Sequence, residues 1–177
     1  MIGKLLMVLE GVAVWLSRIG YCRGFGIQSP ADYWLVRYVI NEHWPYYQYE
    51  TIGRNDDWLT RKLGRLCFRI ANWRQPSVIE SSLFRSYLQA GCHRATFGSS
   101  TEMVVLSLAE GGQNQLPYIY NKVKADTVLI VTGISKAKDV WSGIVADEHT
   151  GITFDLYYCG IVLFDKKRHK QNYKINF

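Results

Sequence analysis

The chain has 177 residues, and 48% of them are hydrophobic, which is enough apolar material for the core of one domain. An aromatic content of 14% and only 4 prolines exclude a disordered or low-complexity chain. The formal net charge of +6 favours anionic partners such as nucleic acid, phosphates or an acidic membrane surface.

The cysteines and histidines are scattered along the chain. No Cys-x-x-Cys pair occurs among Cys22, Cys67, Cys92 and Cys159, so neither a zinc site nor a disulfide framework is predicted. His43, His93, His149 and His169 form no His-x-x-x-His pair, so no metal site is expected. Apolar surroundings for every thiol are typical of a reducing compartment, and we predict a cytoplasmic location.

The first sixteen residues are predicted to form an amphipathic helix. Their apolar residues recur at intervals of three and four, as Leu5, Leu9, Val12, Leu16 and Ile19. We expect this face to dock on the chain's own domain, and the alternative is a membrane-surface anchor. The segment falls short of the roughly 20 apolar residues that span a bilayer, and no cleavage motif follows it. Neither a transmembrane segment nor a signal peptide is therefore predicted.

Two further helices are predicted before residue 75. Ser29 and Pro30 open the first, with a capping hydroxyl and a proline at the first helical position, and its apolar face is Tyr33, Trp34, Val36, Val39 and Ile40. Residues 41–55 form an irregular connection. A capped helix then runs from Asp56 or Asp57 through Trp73, with an inner face of Trp58, Leu59, Leu63, Leu66, Cys67, Ile70 and Trp73.

From Pro76 onward, short apolar runs alternate with helical stretches. The pattern predicts strands over 77–81, 93–97 and 126–132 and helices over 83–90, 101–110 and 135–148. Strands over 153–158 and 161–165 flank Cys159-Gly160, and so tight a turn makes them antiparallel. We predict an α/β domain over 1–177 with a mostly parallel sheet ending in an antiparallel hairpin. Residues 1–55 form an N-terminal helical and aromatic extension, and residues 56–177 form the core.

Three stretches carry a resemblance to a known family. Residues 24–31 read Gly-Phe-Gly-Ile-Gln-Ser-Pro-Ala, where the family has Gly-His-Gly-Ile-His-Ser-Pro-Phe. Residues 62–73 are similar to the family's helix before the first strand, and 141–177 to its closing helix and hairpin. The chain resembles a class I S-adenosylmethionine-dependent methyltransferase-like family of Bacteroides relatives, as a divergent, shortened member. The resemblance implies a shortened Rossmann-like three-layer sandwich.

The resemblance also implies where a cofactor would lie. The family has Glu-Leu-Gly-Thr-Ser-Leu-Gly after the first strand, where glycines let the cofactor approach the backbone. This chain reads Glu-Ser-Ser-Leu-Phe-Arg-Ser over 80–86. The acid is retained as Glu80, every glycine is replaced, and Phe84 or Arg85 is expected to project toward the cofactor's position.

Two more acidic contacts of the family are missing. A carboxylate at the end of the second strand would accept both ribose hydroxyls, but residues 95–100 contain none, and Glu102 is predicted to begin the next helix. The later strand ends at Thr132 without an acid. The vestigial cofactor contacts are Glu80, Ser82, Phe84, Gly98, Glu102 and Thr132. We predict no catalytic residue, no bound cofactor and no metal.

Two surfaces are candidates for partner binding. The aromatic-rich stretch supplies Trp34, Arg37, Trp44, Tyr46 and Tyr47, which could contact a protein partner or a second copy of the chain; alternatively these rings cover the core. The helix over 61–74 is rich in arginine and lysine, so it is either a solvated face or a nucleic-acid surface.

Three functions follow from these residues. The first is a degenerate methyltransferase-like protein that is non-catalytic and acts through binding or self-association. The second is an active methyltransferase that holds S-adenosylmethionine with Glu80 and Glu102 in rearranged positions. The third is a nucleic-acid-binding module that uses the basic helix over 61–74.

Overall fold

The computed structural model describes the backbone of residues 2–177 and the side chains from Leu9 onward. Within that part of the chain, helices pack on a single seven-stranded sheet in an α/β arrangement. The strand order is β2-β1-β3-β4-β6-β5-β7. The predicted α/β class with a mostly parallel sheet is confirmed.

The N-terminal third is helical. Helix α1 spans Ile2–Ser17, and a 3₁₀ turn follows over Ile19–Tyr21. Helix α2 spans Pro30–Leu35 and continues as a π-helical turn over Val36–Ile40, and a 3₁₀ turn covers Tyr47–Glu50. Helix α3 spans Trp58–Arg74.

Both helix caps predicted from the sequence are confirmed. The Ser29 hydroxyl accepts the backbone N–H of Asp32 at 3.4 Å, with Pro30 at the first helical position. The Asp57 carboxylate accepts the backbone N–H groups of Leu59 and Thr60 at 2.8 and 3.0 Å. Its bonds from the Thr60 side chain and backbone hold the pKa of Asp57 below its usual value. These contacts satisfy amides that a helix start leaves without intrahelical partners.

The remaining elements build the sheet and its covering helices. The strands are β1 Val78–Glu80, β2 Thr96–Phe97, β3 Met103–Ser107, β4 Val128–Thr132, β5 Ile152–Asp155, β6 Cys159–Leu163 and β7 Gln171–Lys174. The helices are α4 Arg85–Gly91, α5 Leu116–Tyr120 and α6 Lys138–Ala146, with 3₁₀ turns over Leu108–Glu110 and Gly112–Gln115. Strands β2, β1, β3 and β4 are parallel, and β6 is antiparallel to both β4 and β5.

Apolar side chains cover both faces of the sheet. Met103, Val105, Val128 and Ile130 belong to one core cluster together with residues of α3 and α4. The alternate residues Val104, Leu106, Leu129 and Val131 belong to a second cluster with residues of α5 and α6. Because neighbouring strand residues point to opposite faces, this division places helices on both sides of β3 and β4.

One predicted helix is a strand. The sequence pattern predicts a helix over 101–110, but Met103–Ser107 form the parallel strand β3 between β1 and β4. The run Met-Val-Val-Leu-Ser is buried on both faces of the sheet. Its sequence therefore lacks the alternation of apolar and polar residues that would distinguish a strand from a helix.

The hairpin is confirmed, but its turn lies elsewhere. Cys159 and Gly160 belong to β6 and pair with β4, and the chain reverses over 156–158. Strand β7, which no signal in the sequence predicts, pairs parallel with β5 at the sheet edge.

Strands β2 and β3 are joined by an unusually short crossover. Phe97 and Met103 both pair with Ile79, from opposite sides of β1. Parallel strands usually need a dozen or more connecting residues, yet only residues 98–102 intervene here. This segment therefore crosses directly over β1.

The apolar face predicted for α1 does not dock on the domain. Leu9, Val12, Leu16 and Ile19 are each more than half exposed; the side chain of Leu5 lies outside the described residues. The side chain of Val14 packs instead against the core cluster, and Arg18, just after the helix, donates to the carboxylate and carbonyl of Asp155 at 2.8 Å. With these contacts on the inner side, the aliphatic side of the helix faces outward.

Large aromatic residues are likewise less buried than expected. Tyr33 and Trp34 of α2 are exposed, and so are Trp58 and Trp73 at the two ends of α3. Leu63, Leu66, Cys67 and Ile70 are buried as predicted.

None of the helices among residues 2–177 is long and apolar enough to cross a bilayer.

Two helical glycines provide a matched test of the packing between α3 and α4. A Cβ on Gly91 would lie 2.3 Å from the carbonyl oxygen of Phe68, whereas a Cβ on Gly143 would meet nothing within 4 Å. We expect Gly91→Ala to lower the free energy of unfolding by about 1–3 kcal/mol, because the backbone has to move. Gly143→Ala should raise it by about 0.5–1 kcal/mol through helix propensity. Urea unfolding measures both, and equal effects would contradict this packing.

Candidate functional site

A crevice lies at the carboxyl ends of β1 and β3. Its volume is about 370 Å³. The walls are the ends of these strands, the residues after β1 and the turns after β3, with Glu80, Ser82, Arg85, Gly98, Ser107 and Glu110 among them. In open parallel sheets this edge is where ligands bind. We call it the edge crevice.

Glu80 is committed to the short crossover. Its carboxylate accepts the backbone N–H of Ser100 at 2.8 Å, and the Ser100 hydroxyl donates to the carbonyl of Val78 at 2.6 Å. Ile79 and Glu80 are neighbours in β1, so their side chains point to opposite faces of the sheet. Ile79 faces α3 and α4, and the crossover that Glu80 contacts therefore lies on the other face. The acid that the resemblance assigns to a cofactor therefore binds the protein's own backbone.

The residues after β1 form a tight local turn. The Ser81 hydroxyl accepts the N–H of Leu83 at 3.0 Å and donates to its carbonyl at 2.8 Å. Phe84 has a φ of 51°, a left-handed conformation that side chains rarely adopt. Its ring packs against the cluster beneath α3 and α4 and near Tyr87, and it is not part of the crevice wall.

Arg85 occupies the wall instead. Its guanidinium carbon lies 4.3 Å from the centre of the Phe97 ring. Of the two residues expected to project toward the cofactor's position, the structure brings Arg85 there and turns Phe84 away.

The end of β2 offers hydroxyls in place of a carboxylate. Gly98 lines the crevice, and the Ser99 hydroxyl lies 3.1 Å from that of Tyr118. Lys122 donates to Ser99 at 2.6 Å and also contacts the Tyr118 hydroxyl. These bonds lower the pKa of the exposed Tyr118, with that from Lys122 as the main cause.

Two predicted contacts lie away from the crevice. Glu102 does not begin a helix: it precedes β3, and its carboxylate accepts the N–H of Ser77 at 2.7 Å, at the amino end of β1. Thr132 ends β4, where its buried hydroxyl donates to the Leu106 carbonyl at 3.3 Å. Neither belongs to the crevice wall.

Glu110 is a crevice residue that sequence reasoning missed. It follows β3 and lines the wall together with Ser107 and Gln115. If Met103–Ser107 had been predicted as a strand, these polar residues would have been expected at its carboxyl end. The prediction of a helix over 101–110 prevented this assignment.

The aromatic candidates are divided between surface and core. Trp44 and Tyr47 are 75% and 89% exposed, and Trp34 is exposed with its ring 5.9 Å from that of Tyr38. Tyr46 instead packs edge-on against Phe68 at 4.8 Å and donates to Glu42 at 2.8 Å. Burial, assisted by this bond, raises the pKa of Tyr46 to about 12. Arg37 is half-buried in the π-helical turn.

Several cations of the basic helix α3 bind groups of the chain itself. Arg69 is buried and donates to the carbonyls of Val39 and Ile40 at 2.7 and 2.8 Å. Arg61 donates to three backbone carbonyls, those of Gly53, Arg54 and Asp56. Arg74 is paired with Asp126 at 2.7 Å. Three of its cations are thus engaged within the chain.

Two of the thiols are unreactive, and the described residues contain no group of metal ligands. Burial raises the pKa of Cys67 to about 12 and that of Cys159 well above the ordinary value, so neither is a reactive thiolate. No cluster of three or more histidine, cysteine or acidic side chains that could hold a metal occurs from Leu9 onward.

Comparison with known proteins adds no relative to this picture: no family model, no curated protein and no solved structure matches the chain.

Proposed function

We propose that this chain is a non-catalytic protein built on a shortened scaffold of the class I methyltransferase type, and that it acts by binding through its N-terminal surface. A parallel half-sheet followed by an antiparallel hairpin, with helices on both faces, is the arrangement that the sequence resemblance implies. The main observation in favour of a non-catalytic protein is the hydrogen bond from the Ser100 amide to the Glu80 carboxylate.

Three features of the edge crevice oppose strong binding of S-adenosylmethionine. One carboxylate oxygen of Glu80 accepts the Ser100 amide, and turning the carboxylate toward a ligand would break that bond at a cost of about 1–3 kcal/mol. The carboxyl end of β2, at Phe97 and Gly98, carries no acid for the ribose hydroxyls. Arg85 takes up part of the wall. Two or three such losses together would weaken binding by several orders of magnitude.

The contacts of Glu102 argue against the active alternative. That hypothesis needs Glu80 and Glu102 to act in one site. The Glu80 carboxylate binds Ser100, and the Glu102 carboxylate binds Ser77. Glu80 is the last residue of β1, whereas Ser77 precedes that strand. Side chains anchored at opposite ends of a strand cannot form one cofactor contact without rebuilding the crossover.

The distribution of exposed apolar side chains supports binding through the N-terminal region. Among residues 9–177, twelve of the fifteen large hydrophobic side chains that are exposed lie between residues 9 and 47, including Leu9, Val12, Trp15, Leu16, Ile19, Phe25, Trp44 and Tyr47. Contiguous exposed apolar surface is typical of interaction sites. We define the aliphatic side of α1 and the turn after it, residues 9, 12, 16 and 19, as the contact face.

Calorimetry tests the absence of a working cofactor site. Titration of the intact protein with S-adenosylmethionine or S-adenosylhomocysteine should give no saturable heat up to about 1 mM ligand, because each lost contact costs about 1–3 kcal/mol. Binding at micromolar concentration would contradict the proposal. If Glu80→Gln abolished such binding while thermal unfolding stayed unchanged, the active alternative would be supported instead.

Light scattering coupled to size-exclusion chromatography tests the contact face. We expect the protein to self-associate in the micromolar range, and Leu16→Glu to weaken association at least tenfold, since a charge cannot be buried there without a partner. Tyr118→Glu, at an exposed aromatic outside the N-terminal region, is the matched control and should leave the mass unchanged. If the wild type stayed monomeric at high concentration, with the same mass as Leu16→Glu, self-association through the contact face would be contradicted.

A further inference from the structure

A second cavity, lined by the amino-terminal part of α3, carries an unusual concentration of positive charge. Its volume is about 310 Å³, and its walls include residues 40–43 and Phe177. Four cationic side chains line it: Arg61, Lys62, Arg65 and Arg69. Residues four apart on a helix are neighbours on one side, so Arg61, Arg65 and Arg69 form a row. We call this space the basic cavity.

No carboxylate among the described side chains forms an ion pair with these four charges. The ion pairs formed from Leu9 onward use Arg18, Arg74, His149 and Arg168. Glu42 is the one acidic side chain in the cavity wall, and its carboxylate accepts a hydrogen bond from Tyr46. The α-carboxylate of Phe177, another wall residue, adds a second negative charge and forms no ion pair with the four cations. Four positive charges against two negative charges leave the cavity electropositive, and concave low-dielectric walls focus such a field.

Lys62 is the most exceptional of the four. Its ammonium lies 5.0 Å from the centre of the Trp58 ring and 4.5 Å from that of Phe177. Within the described part of the chain it forms no ion pair and no side-chain hydrogen bond, although an ammonium has three donors. Burial lowers the pKa of Lys62. A half-buried cation without an acceptor is costly unless an anion binds to it.

Two further donors at the cavity lack partners within the described residues. The guanidinium carbon of Arg65 lies 4.6 Å from the Tyr49 ring centre, and its buried Nε atom has no acceptor. Asn41 is 7% exposed, and its side-chain nitrogen also has no acceptor. Buried polar groups are nearly always hydrogen-bonded in native proteins. An arginine nitrogen can only donate, so what the Arg65 Nε requires is an acceptor.

The arginines at the two ends of the row are held rigidly. Arg69 is fixed by the carbonyls of Val39 and Ile40 at the end of the π-helical turn, a place that favours a cation. Arg61 is fixed by the carbonyls before α3. These bonds hold two charges in place beside Lys62 and Arg65, whose own donors stay available. Such preorganisation lowers the entropic cost of binding.

We propose that the basic cavity binds the oxyanion group, phosphate or carboxylate, of a small molecule, with Lys62 and Arg65 as its direct ligands. A concave space of this volume fits a small ligand rather than a duplex, and the exposed Trp58 ring at its wall offers a planar surface to the rest of that ligand. This site is separate from the edge crevice, and it stands or falls independently of the proposed function.

Calorimetry on the intact protein tests the site with inorganic phosphate and with acetate as probes, at constant ionic strength. We expect saturable binding of at least one probe, and the better one identifies the oxyanion. Lys62→Gln and Arg65→Gln should each raise Kd at least tenfold. Lys136→Gln and Arg94→Gln, which remove the same charge at exposed positions away from the cavity, should change Kd less than twofold.

Thermal unfolding distinguishes loss of the site from loss of the fold. At one ligand concentration, phosphate or acetate should raise the Tm of the wild type and of both controls by ligand linkage, and should raise that of Lys62→Gln by a smaller amount. The absence of any heat or Tm shift with either probe would overturn the proposal. So would equal effects of the cavity and control variants. Salt-sensitive binding of a generic DNA duplex that Lys62→Gln abolishes would also overturn it, in favour of a nucleic-acid surface.

Discussion

The five-residue crossover between β2 and β3 is the constraint on which the carboxyl edge of the sheet depends. Residues 98–102 pass over β1 with no helix to span the distance, and the segment is held by the Glu80 carboxylate, the Ser100 hydroxyl and the Glu102 carboxylate. Each of these bonds joins the crossover to residues in or beside β1. One of these contacts engages an oxygen of Glu80, the acid that the sequence resemblance assigns to a cofactor site.

The two proposed binding regions are separate from the structural core. Helices α3 and α4 bury one face of the sheet and helices α5 and α6 the other, and the polar groups of the crossover are satisfied by β1 and its neighbours. Outside this core, the contact face of α1 faces outward while Val14 and the bonds of Arg18 to Asp155 attach the other side, and the basic cavity opens beside α3. Interaction with partners or ligands at these two places needs no rearrangement of the sheet.

Local signals in the sequence predict much of the fold. Ser29 with Pro30 and Asp57 define helix starts by hydrogen bonds to nearby amides, so a short sequence window contains the whole interaction. Residues 103–107 are misassigned because burial on both faces depends on α4, α5 and the neighbouring strands, none of which is visible in a window of five residues. The outward face of α1 is missed for a similar reason, since Arg18 reaches Asp155, 137 residues away. In the edge crevice, Glu80, Ser82 and Gly98 could be placed at its wall, whereas Glu110 could not, because its position follows from the unrecognised strand.

The most direct test of whether the edge crevice can hold a cofactor is a crystal structure grown with saturating S-adenosylhomocysteine. We predict an edge crevice without ligand density, the Glu80 carboxylate within hydrogen-bond distance of the Ser100 amide, and the Arg85 guanidinium over Phe97. Density for the nucleoside beyond β1, with Glu80 turned from Ser100 toward the ligand, would contradict the non-catalytic proposal.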